Sequence, residues 1–566
     1  MEKTFEQFPL RRPNINKIQS EIENFKERIV NANDANEAKK VLKAFFKYSD
    51  KLDTLFTTIH VNFTLKTNDP KIVKLMEIAN EVSPLVGNYQ NEFYKAVLAS
   101  KFLPELKDKF GQYFFDMIET SLKIYDPIII EDLVEENKLD MRRSQIIGGA
   151  KIDFRGETYN LAGIAKFMQD LDRDTRKEAS VLYYSFYSEH ESELAEIYDK
   201  LVKVRDRMAK KLGFKNFIEL GYLRLGRLDY DANDVKAYRE QIKSEVVPYA
   251  STLFKRQLKR IEIKKPSYYD YSLTFKDGNP TPKGSEEELV SKALKMYEDM
   301  SEETGNFFRF MLEHHLMDLK ARPGKDMGGY MTYFPLYKAP FVFANFNGTS
   351  QDVATLTHEM GHAFQAYESR NISIPAYRNP TLEACEIHSM SMEFISWPWM
   401  DAFFGDEVDK YRFEHLADAV LFLPYGAAVD AFQHAVYERP EMNHDERCEV
   451  WRDIEREYLP FKDYSEQPFL SKGTYWMRQP HIYSSPFYYI DYTLAQVVAF
   501  EFWHRANVNR DKAFKKYVKL CKMGGKYPFQ SLLKHAGLRI PFHDGMIKKA
   551  LTPVKRYLNA IDDKAL

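Results

Sequence analysis

The sequence predicts a mostly helical fold, and three observations lead to this expectation. Long segments rich in helix-forming and charged residues carry apolar residues three and four positions apart. Signals for strands are few, and neither an internal repeat nor a low-complexity linker divides the 566 residues. We therefore expect one continuous helical body, with an N-terminal helical part over residues 1–165 and a larger second part over residues 166–566.

Helical periodicity is clearest in five segments: residues 15–30, 35–63, 194–212, 234–260 and 286–316. Pro248 lies inside the fourth segment. Because proline lacks an amide hydrogen and its ring clashes with the preceding turn, we expect a kink or a split there. The proline-containing stretch 264–285 is typical of a loop.

Two segments have the character of β-structure. Residues 151–161 alternate apolar and polar side chains around Arg155-Gly156, which predicts a hairpin. Residues 337–346 are rich in aromatic and β-branched side chains and end at Asn347-Gly348, which predicts a short strand and a turn. A strand that passes a functional site can bind a peptide through backbone hydrogen bonds. We interpret residues 337–346 as a candidate for that role, with a plain core strand as the alternative.

The helix predicted after this strand carries the most informative motif. Residues 349–352 have the form of a capping box, and apolar residues then recur at helical spacing. Residues 358–362 are His-Glu-Met-Gly-His. Because His358 and His362 lie one helical turn apart, both imidazoles can reach one metal ion. Glu359 points about 100° away round the helix, where it can take a proton from a water at the metal. The alternative is an ordinary amphipathic helix with a polar face.

Two histidines leave a zinc ion under-coordinated, so the motif requires a third ligand from elsewhere. The compact pattern with a following glycine and histidine fails, because Gln365 and Glu368 occupy those positions. A second predicted helix, after Pro380, offers four candidates: Glu383, Glu386, His388 and Glu393. A carboxylate at position 383 is expected in the first turn of a helix because it complements the helix dipole. Spacing alone favours Glu386 only weakly.

Three segments between residues 330 and 495 resemble the thimet oligopeptidase family of zinc metallopeptidases, and most closely its oligoendopeptidase F and Pz-peptidase branch. They are the strand and helix that end at His362, the run Glu386-x-x-Ser389-x-x-x-Glu393, and the aromatic run 481–492. In that family the glutamate that opens the second run binds zinc. The resemblance therefore implies that Glu386 is the third ligand of one zinc ion and that Glu393 lies beside the ligands. The alternative for Glu393 is a solvated charge on a helix.

The aromatic run is the third part of the resemblance. By position, the family pattern implies that His481, Tyr488 and Tyr492 bind the substrate and stabilise the oxyanion of the reaction. Ile490 stands where the pattern has tyrosine, and Tyr489 is an additional tyrosine, so the choice among the three tyrosines stays open. Without the resemblance these side chains would be interpreted as core aromatics.

The resemblance implies a zinc-dependent endopeptidase that cleaves short oligopeptides, with collagen-derived peptides as candidate substrates. It also implies two helical halves that enclose a deep substrate channel. Two alternatives stay open. A zinc carboxypeptidase on a similar helical fold needs a cation for the terminal carboxylate, which Arg478 could supply. A non-enzymatic peptide-binding protein with a vestigial metal site is disfavoured by Glu359, because a structural site needs no base.

Composition narrows the setting of the protein. A formal net charge of −2 argues against a nucleic-acid partner. Neither an apolar run of membrane-spanning length nor the apolar core of a signal peptide is visible in the sequence. The three cysteines are odd in number and widely spaced, which is typical of a reducing compartment. We expect a cytoplasmic enzyme that acts on peptides away from membranes, and composition leaves its oligomeric state open.

Overall fold

The computed structural model describes residues 3–566. Helices account for 71% of the chain and strands for 4%. The prediction of a mostly helical fold with a few short strands is therefore confirmed. Within the described residues, every helix is too short or too polar to span a lipid bilayer.

The N-terminal part consists of long helices. In order along the chain they are α1 (Ile15–Val30), α2 (Ala35–Leu65), α3 (Pro70–Leu98), α4 (Leu103–Phe110), α5 (Gln112–Lys123) and α6 (Ile130–Gly148). The first three begin where a side chain accepts hydrogen bonds from free backbone amides, at Asn14, Asp34 and Asp69. Asn14 and Asp34 stand directly before the first residues of α1 and α2. The predicted helices 15–30 and 35–63 therefore begin where α1 and α2 begin, and they end within two residues of them.

A separate apolar cluster holds α1–α5 together, and one residue from far along the chain belongs to it. The hydroxyl of Tyr377 accepts a hydrogen bond from the Phe114 amide at 2.9 Å and donates one to the Phe110 carbonyl at 3.0 Å. The next residue, Arg378, pairs with Asp50 at 2.7 Å. These contacts fasten the N-terminal helices to the rest of the body. The division near residue 165 stays a prediction.

The predicted hairpin around Arg155-Gly156 is confirmed. Strands β1 (Ile152–Phe154) and β2 (Glu157–Tyr159) are antiparallel, with Phe154 opposite Glu157. Arg155 and Gly156 have φ angles of 52° and 87°. Positive φ at both central residues is what a two-residue turn between antiparallel strands requires.

Eight helices then follow the hairpin within the described chain: α7 (Leu161–Ala165), α8 (Arg173–Glu189), α9 (Glu191–Lys211), α10 (Phe217–Arg224), α11 (Ala232–Gln241), α12 (Val247–Arg260), α13 (Glu286–Met300) and α14 (Glu302–Glu313). The predicted helix 234–260 is split, as expected, by a π-helical turn at Ile242–Val246 directly before Pro248. The prediction of one helix over 286–316 is wrong. Ser301 ends α13, and its side chain caps α14 by accepting the Thr304 amide hydrogen.

A three-stranded sheet precedes the two-histidine motif. Its strands are β3 (Met317–Lys320), β4 (Tyr330–Phe334) and β5 (Ala339–Phe346), in the order β3-β5-β4. The strand predicted at 337–346 is confirmed as β5. Its proposed role in binding a peptide backbone is wrong, because β5 is the central strand and pairs with a neighbour on each side. The available edge near the motif belongs to β4.

The remaining helices build the core around the motif. They are α15 (Gln351–Ser369), α16 (Leu382–Ile395), α17 (Met400–Phe404), α18 (Val408–Glu438), α19 (His444–Tyr458), α20 (Pro468–Ser471), α21 (Pro480–Ser484), α22 (Tyr489–Val508), α23 (Arg510–Met523), α24 (Phe529–Ala536) and α25 (Met546–Ala560). Helix α16 packs against both α15 and α22. The two-histidine motif, the candidate glutamates and the aromatic run therefore meet in one place.

Candidate metal centre

The start of α15 differs from the predicted capping box. Ser350 makes no side-chain capping bond. Instead, the Asp352 carboxylate accepts hydrogen bonds from the backbone amides of Asn347 at 2.9 Å and Gly348 at 2.7 Å. A carboxylate in the first turn of a helix can reach back to the preceding loop, and here it supplies the acceptor that the amides of Asn347 and Gly348 need. Asp352 thus fixes the turn that leads from β5 into the motif helix.

Helices α15 and α16 approach each other most closely at Gly361. A Cβ atom added at Gly361 would lie 2.6 Å from the His388 carbonyl oxygen and 2.6 Å from the Ser389 Cα. Only glycine allows this separation. The close approach brings Glu386 against both histidines of the motif. The His388 side chain is buried and is not part of this group, and its carbonyl accepts a hydrogen bond from the Tyr517 hydroxyl.

Three side chains converge in the geometry of a metal site. Glu386 Oε2 lies 3.1 Å from His358 Nε2 and 3.2 Å from His362 Nε2. One ligand atom from each of the three residues lies within 4.8 Å of the others. A single ion can bridge such a span, because zinc binds imidazole nitrogen and carboxylate oxygen at about 2.0–2.2 Å. Two imidazoles and one carboxylate are the donor set of a catalytic zinc site, which keeps a position open.

Glu386 is held in place by two hydroxyl groups. Ser389 Oγ donates a hydrogen bond to its Oε2 at 2.9 Å, and the Tyr488 hydroxyl donates one to its Oε1. Burial raises the pKa of Glu386, but His362 and His358 outweigh it and hold this pKa well below its usual range. The side chain is therefore a buried carboxylate that faces two imidazoles, as binding of a cation requires.

Glu393 orients one of the histidines. Its Oε1 lies 2.7 Å from His358 Nδ1 and its Oε2 lies 2.7 Å from His415 Nε2. The Trp397 indole donates a hydrogen bond to His415 Nδ1, so the proton of His415 lies on Nε2 and points at Glu393. His358 likewise donates from Nδ1 to Glu393, so Nε2 is the nitrogen that faces Glu386 and would bind a metal ion. His415 was missed by sequence reasoning because it comes from α18 and has no ligand spacing to the motif.

Glu359 lies beside the ligands and has a carboxylate oxygen free to react. Its side chain is buried, its Oε2 has no hydrogen-bond partner among the described residues, and burial raises its pKa. Its Oε1 lies only 3.2 Å from where a Cβ of Gly329 would be. Gly329, the residue directly before the edge strand β4, therefore passes close to the carboxylate. The Gly328-Gly329 pair was the sequence signal for this approach, and the sequence interpretation did not use it.

The aromatic run lies beside the three candidate ligands, with Tyr488 against Glu386 and Tyr492 against His358. His481 Nε2 lies 3.2 Å from the Tyr492 hydroxyl, and the Gln479 side-chain amide lies 2.7 Å from His481 Nδ1. Burial lowers the pKa of His481 to about 4, so its ring is neutral at neutral pH. The structure thus brings His481, Tyr488 and Tyr492 to the site. Tyr489 packs its ring on His481, with 5.0 Å between ring centroids.

The loop before Tyr488 has an unusual backbone. Phe487, which is fully buried, has a φ angle of 68°, a conformation that costs a bulky residue about 1–2 kcal/mol. Its amide donates to Gln433 Oε1 at 2.8 Å, and its carbonyl accepts from Arg227 at 2.7 Å. Arg227 also pairs with Asp491 at 2.6 Å. These buried contacts stabilise the turn that points Tyr488 at Glu386.

A family model decides where this chain belongs. The model of peptidase family M3 matches residues 166–551, and the model of the M3 N-terminal domain matches residues 5–125. The chain belongs to peptidase family M3. The earlier recognition of a metalloendopeptidase of the oligoendopeptidase F and Pz-peptidase branch is confirmed by these matches and by the relatives described next.

Solved structures share the whole fold of this M3 peptidase. Pz peptidase A with an inhibitor is 47% identical, with a TM-score of 0.98 over 99% of this chain and 100% of its own. A structure provisionally named oligoendopeptidase F is 49% identical, with a TM-score of 0.98 over 100% of both chains. Among curated relatives, an oligoendopeptidase F homolog of Borreliella burgdorferi is 26% identical over 66% of this chain. That match spans 62% of the relative's length.

Proposed function

We propose that this M3 peptidase is a zinc-dependent endopeptidase that hydrolyses internal bonds of short oligopeptides. The single observation that carries the proposal is the convergence of His358, His362 and Glu386 beside the unpartnered oxygen of Glu359. Three ligands with an adjacent free carboxylate suit metal-assisted hydrolysis, because a structural site would use a fourth protein ligand. The three cysteines are free, which agrees with a cytoplasmic location as part of the proposal.

Hydrogen bonds within the protein orient two of the three proposed ligands, His358 and Glu386. His358, His362 and Glu386 would hold a zinc ion, which when bound would supply a water of lowered pKa and a charge that polarises a carbonyl oxygen. Glu393 accepts a hydrogen bond from His358 Nδ1, so Nε2 is the nitrogen that would bind the metal ion. Ser389 and Tyr488 hold the Glu386 carboxylate in a fixed orientation. The site is therefore preorganised for a cation by hydrogen bonds within the protein.

Glu359 acts as the general base. Its free Oε2 takes a proton from the attacking water, and the same carboxyl group then gives that proton to the departing amine. Burial raises the pKa of this carboxyl group towards the range that both transfers need. The approach of Gly329 to Glu359 puts the edge of β4 where a substrate backbone can pair with it.

His481 and Tyr492 stabilise the developing oxyanion. The Gln479 side-chain nitrogen donates to His481 Nδ1, so the imidazole proton lies on Nε2, on the side of Tyr492. A neutral N–H and a neutral hydroxyl are suitable donors to an oxyanion in a site sheltered from water. Tyr488 already donates to Glu386, so its part is to position that ligand.

The restriction to short peptides rests on the enclosure of the site. A cavity of about 330 Å³ lies beside His481, Tyr492 and Glu393, within the helical body. A cavity of this size holds only a few residues of an extended peptide and is too small for a folded domain. A panel that compares a decapeptide, a Pro-Gly-rich peptide and a folded protein tests this point. Equal rates of cleavage for the decapeptide and the folded protein would contradict it.

The base assignment is tested with Glu359→Gln. We expect kcat to fall by about a hundredfold to ten-thousandfold, while zinc content measured by mass spectrometry stays at one ion per chain. Glu368→Gln is the matched control, because it makes the same change on the same helix and leaves the metal centre intact. A peptide blocked at both ends is the substrate, since its cleavage identifies an endopeptidase. Full activity in a zinc-replete Glu359→Gln protein would refute the assignment.

A further inference from the structure

Arg478 is a cation without a carboxylate partner inside the helical body. Three buried arginines of the core are paired, Arg205 with Glu136, Arg227 with Asp491 and Arg239 with Asp430, whereas within the described chain the buried Arg143, like Arg478, forms no ion pair within 4.0 Å. Among the described residues, no carboxylate oxygen lies within 4.0 Å of the Arg478 guanidinium. The group stacks over the Tyr475 ring, with 4.3 Å to the centroid. Its hydrogen-bond donors are therefore available to a bound anion.

Arg478 lines a cavity that continues from the metal centre. This second cavity, of about 320 Å³, shares five lining residues with the cavity beside His481: Ser350, Gln351, Glu414, Asp418 and Phe422. Lys462 also lines the second cavity and likewise lacks a carboxylate within 4.0 Å. Arg478 and Lys462 line only the second cavity and not the one beside His481. The path from the metal centre therefore leads past carboxylates to a positively charged end.

The carboxylate of Glu414 already accepts hydrogen bonds from neutral side chains. Glu414 accepts hydrogen bonds from Thr274 at 2.8 Å and from Ser350 at 3.2 Å. Glu414 and Asp418 line both cavities and so lie at their junction. Neither forms an ion pair with Arg478 in the described structure. The guanidinium at the far end is therefore the best remaining partner for an incoming carboxylate, which it can bind through two parallel hydrogen bonds.

A series of neighbouring aromatic rings sets an upper limit on the distance from Tyr492, beside the candidate metal centre, to Arg478. Centroid separations are 5.3 Å from Tyr492 to Tyr489, 5.7 Å from Tyr489 to Tyr425 and 5.7 Å from Tyr425 to Tyr475. The guanidinium lies one further step of 4.3 Å away. An extended peptide rises about 3.3 Å per residue, so it covers these steps with at most about six residues.

We propose that Arg478, with Lys462 beside it, binds a carboxylate of the peptide substrate, foremost its C-terminal carboxylate, at most about six residues from the bond that is cleaved. This assignment rests on the proposed peptidase function and deepens it. Because Arg478 lines only the second cavity, the anchored end lies outside the cavity beside His481 and cleavage stays internal. The anchor fixes the cleavage position relative to the end of the peptide, and it favours short substrates whose ends can reach it.

The test compares N-acetylated peptides that differ only at the C terminus, as the free acid or the amide. For the wild-type protein we expect kcat/KM about ten to a hundred times higher for the acid, mainly through KM, which is the usual effect of a charge-assisted hydrogen bond. Arg478→Gln reduces this acid-to-amide ratio to about one, and Arg478→Lys leaves an intermediate ratio. The control Arg456→Gln, at an exposed surface pair, keeps the wild-type ratio.

Two further arms complete the experiment. An amidated peptide with a glutamate near its end distinguishes a side-chain carboxylate from the C-terminal one. If it is cleaved faster than the same amide without glutamate, Arg478 also binds acidic side chains. Binding of fluorescein-labelled acid and amide peptides to Glu359→Gln, followed by anisotropy, measures the preference without turnover. If the wild-type protein cleaves neither peptide, the proposed function is refuted. The anisotropy measurement still shows whether the protein binds the acid more tightly than the amide. A ratio near one in the wild-type protein, or a wild-type ratio in Arg478→Gln, overturns the proposal.

Discussion

Replacing Gly361 by alanine adds one methyl group at the point where α15 meets α16. The new Cβ atom would lie 2.6 Å from two backbone atoms of α16, whereas ordinary contacts begin at 3.4 Å. The shortfall is about 0.8 Å, and backbone atoms cannot rotate away as a flexible side chain can. The two helices must therefore move apart, and Glu386 moves away from His358 and His362.

The expected effect on metal binding exceeds the effect on stability. Overpacking costs about 1–3 kcal/mol, and the better helix propensity of alanine returns about 1 kcal/mol, so the free energy of unfolding falls by about 0–2 kcal/mol. Metal sites tolerate ligand displacements of only about 0.2 Å. We therefore expect zinc affinity to fall by at least about tenfold to a hundredfold, the loss that follows disturbance of groups around a metal site.

Zinc affinity is measured by competition with a chromogenic chelator, alongside urea unfolding of the metal-free protein. The matched control is Gly87→Ala in α3, where the nearest atom lies 3.7 Å from the new Cβ. That variant should gain about 0.5–1 kcal/mol of stability and bind zinc normally. Wild-type zinc affinity in Gly361→Ala would show that the helix separation does not set the ligand geometry, and the reasoning would then fail.

Two further predictions concern charged contacts. Glu393→Gln removes the charge that orients His358, so zinc affinity should fall by about tenfold to a hundredfold in the same competition assay; unchanged affinity would contradict the role of Glu393. Burial raises the pKa of Glu136, but Arg224 and Arg205 outweigh it and lower this pKa to about 2 from its usual 4.5. Glu136 therefore adds about 3 kcal/mol of stability above pH 4.5, which is lost as the pH falls from 4.5 to 2. Urea unfolding of wild type and Glu136→Gln across this range should converge at low pH, and a constant difference would refute the assignment.

The parts of the site that sequence could predict are those with local spacing. His358 and His362 are one helical turn apart, so their convergence follows from helix geometry alone. The position of Glu386 depends on how two helices cross, and only the family resemblance pointed to it. His415 lies on α18 and meets Glu393 only through tertiary packing.

The backbone held further features that residue types did not reveal. Nothing in the identity of Phe487 indicates a positive φ, because surrounding hydrogen bonds impose that conformation. Strand β5 was predicted from its composition, but its central place depends on β3, whose short sequence carries no clear strand pattern. Sheet order is a non-local property, and local patterns therefore could not identify β4 as the edge beside Glu359.

Tyr377 also has a consequence for biosynthesis. Its hydroxyl bonds to Phe114 and Phe110, residues that precede it by 263 and 267 positions. A ribosome adds about 5–20 residues per second, so roughly 13–50 s pass between the emergence of α5 and the arrival of Tyr377. During that interval the nascent N-terminal helices present an incomplete apolar surface, which is the kind of surface that chaperones bind.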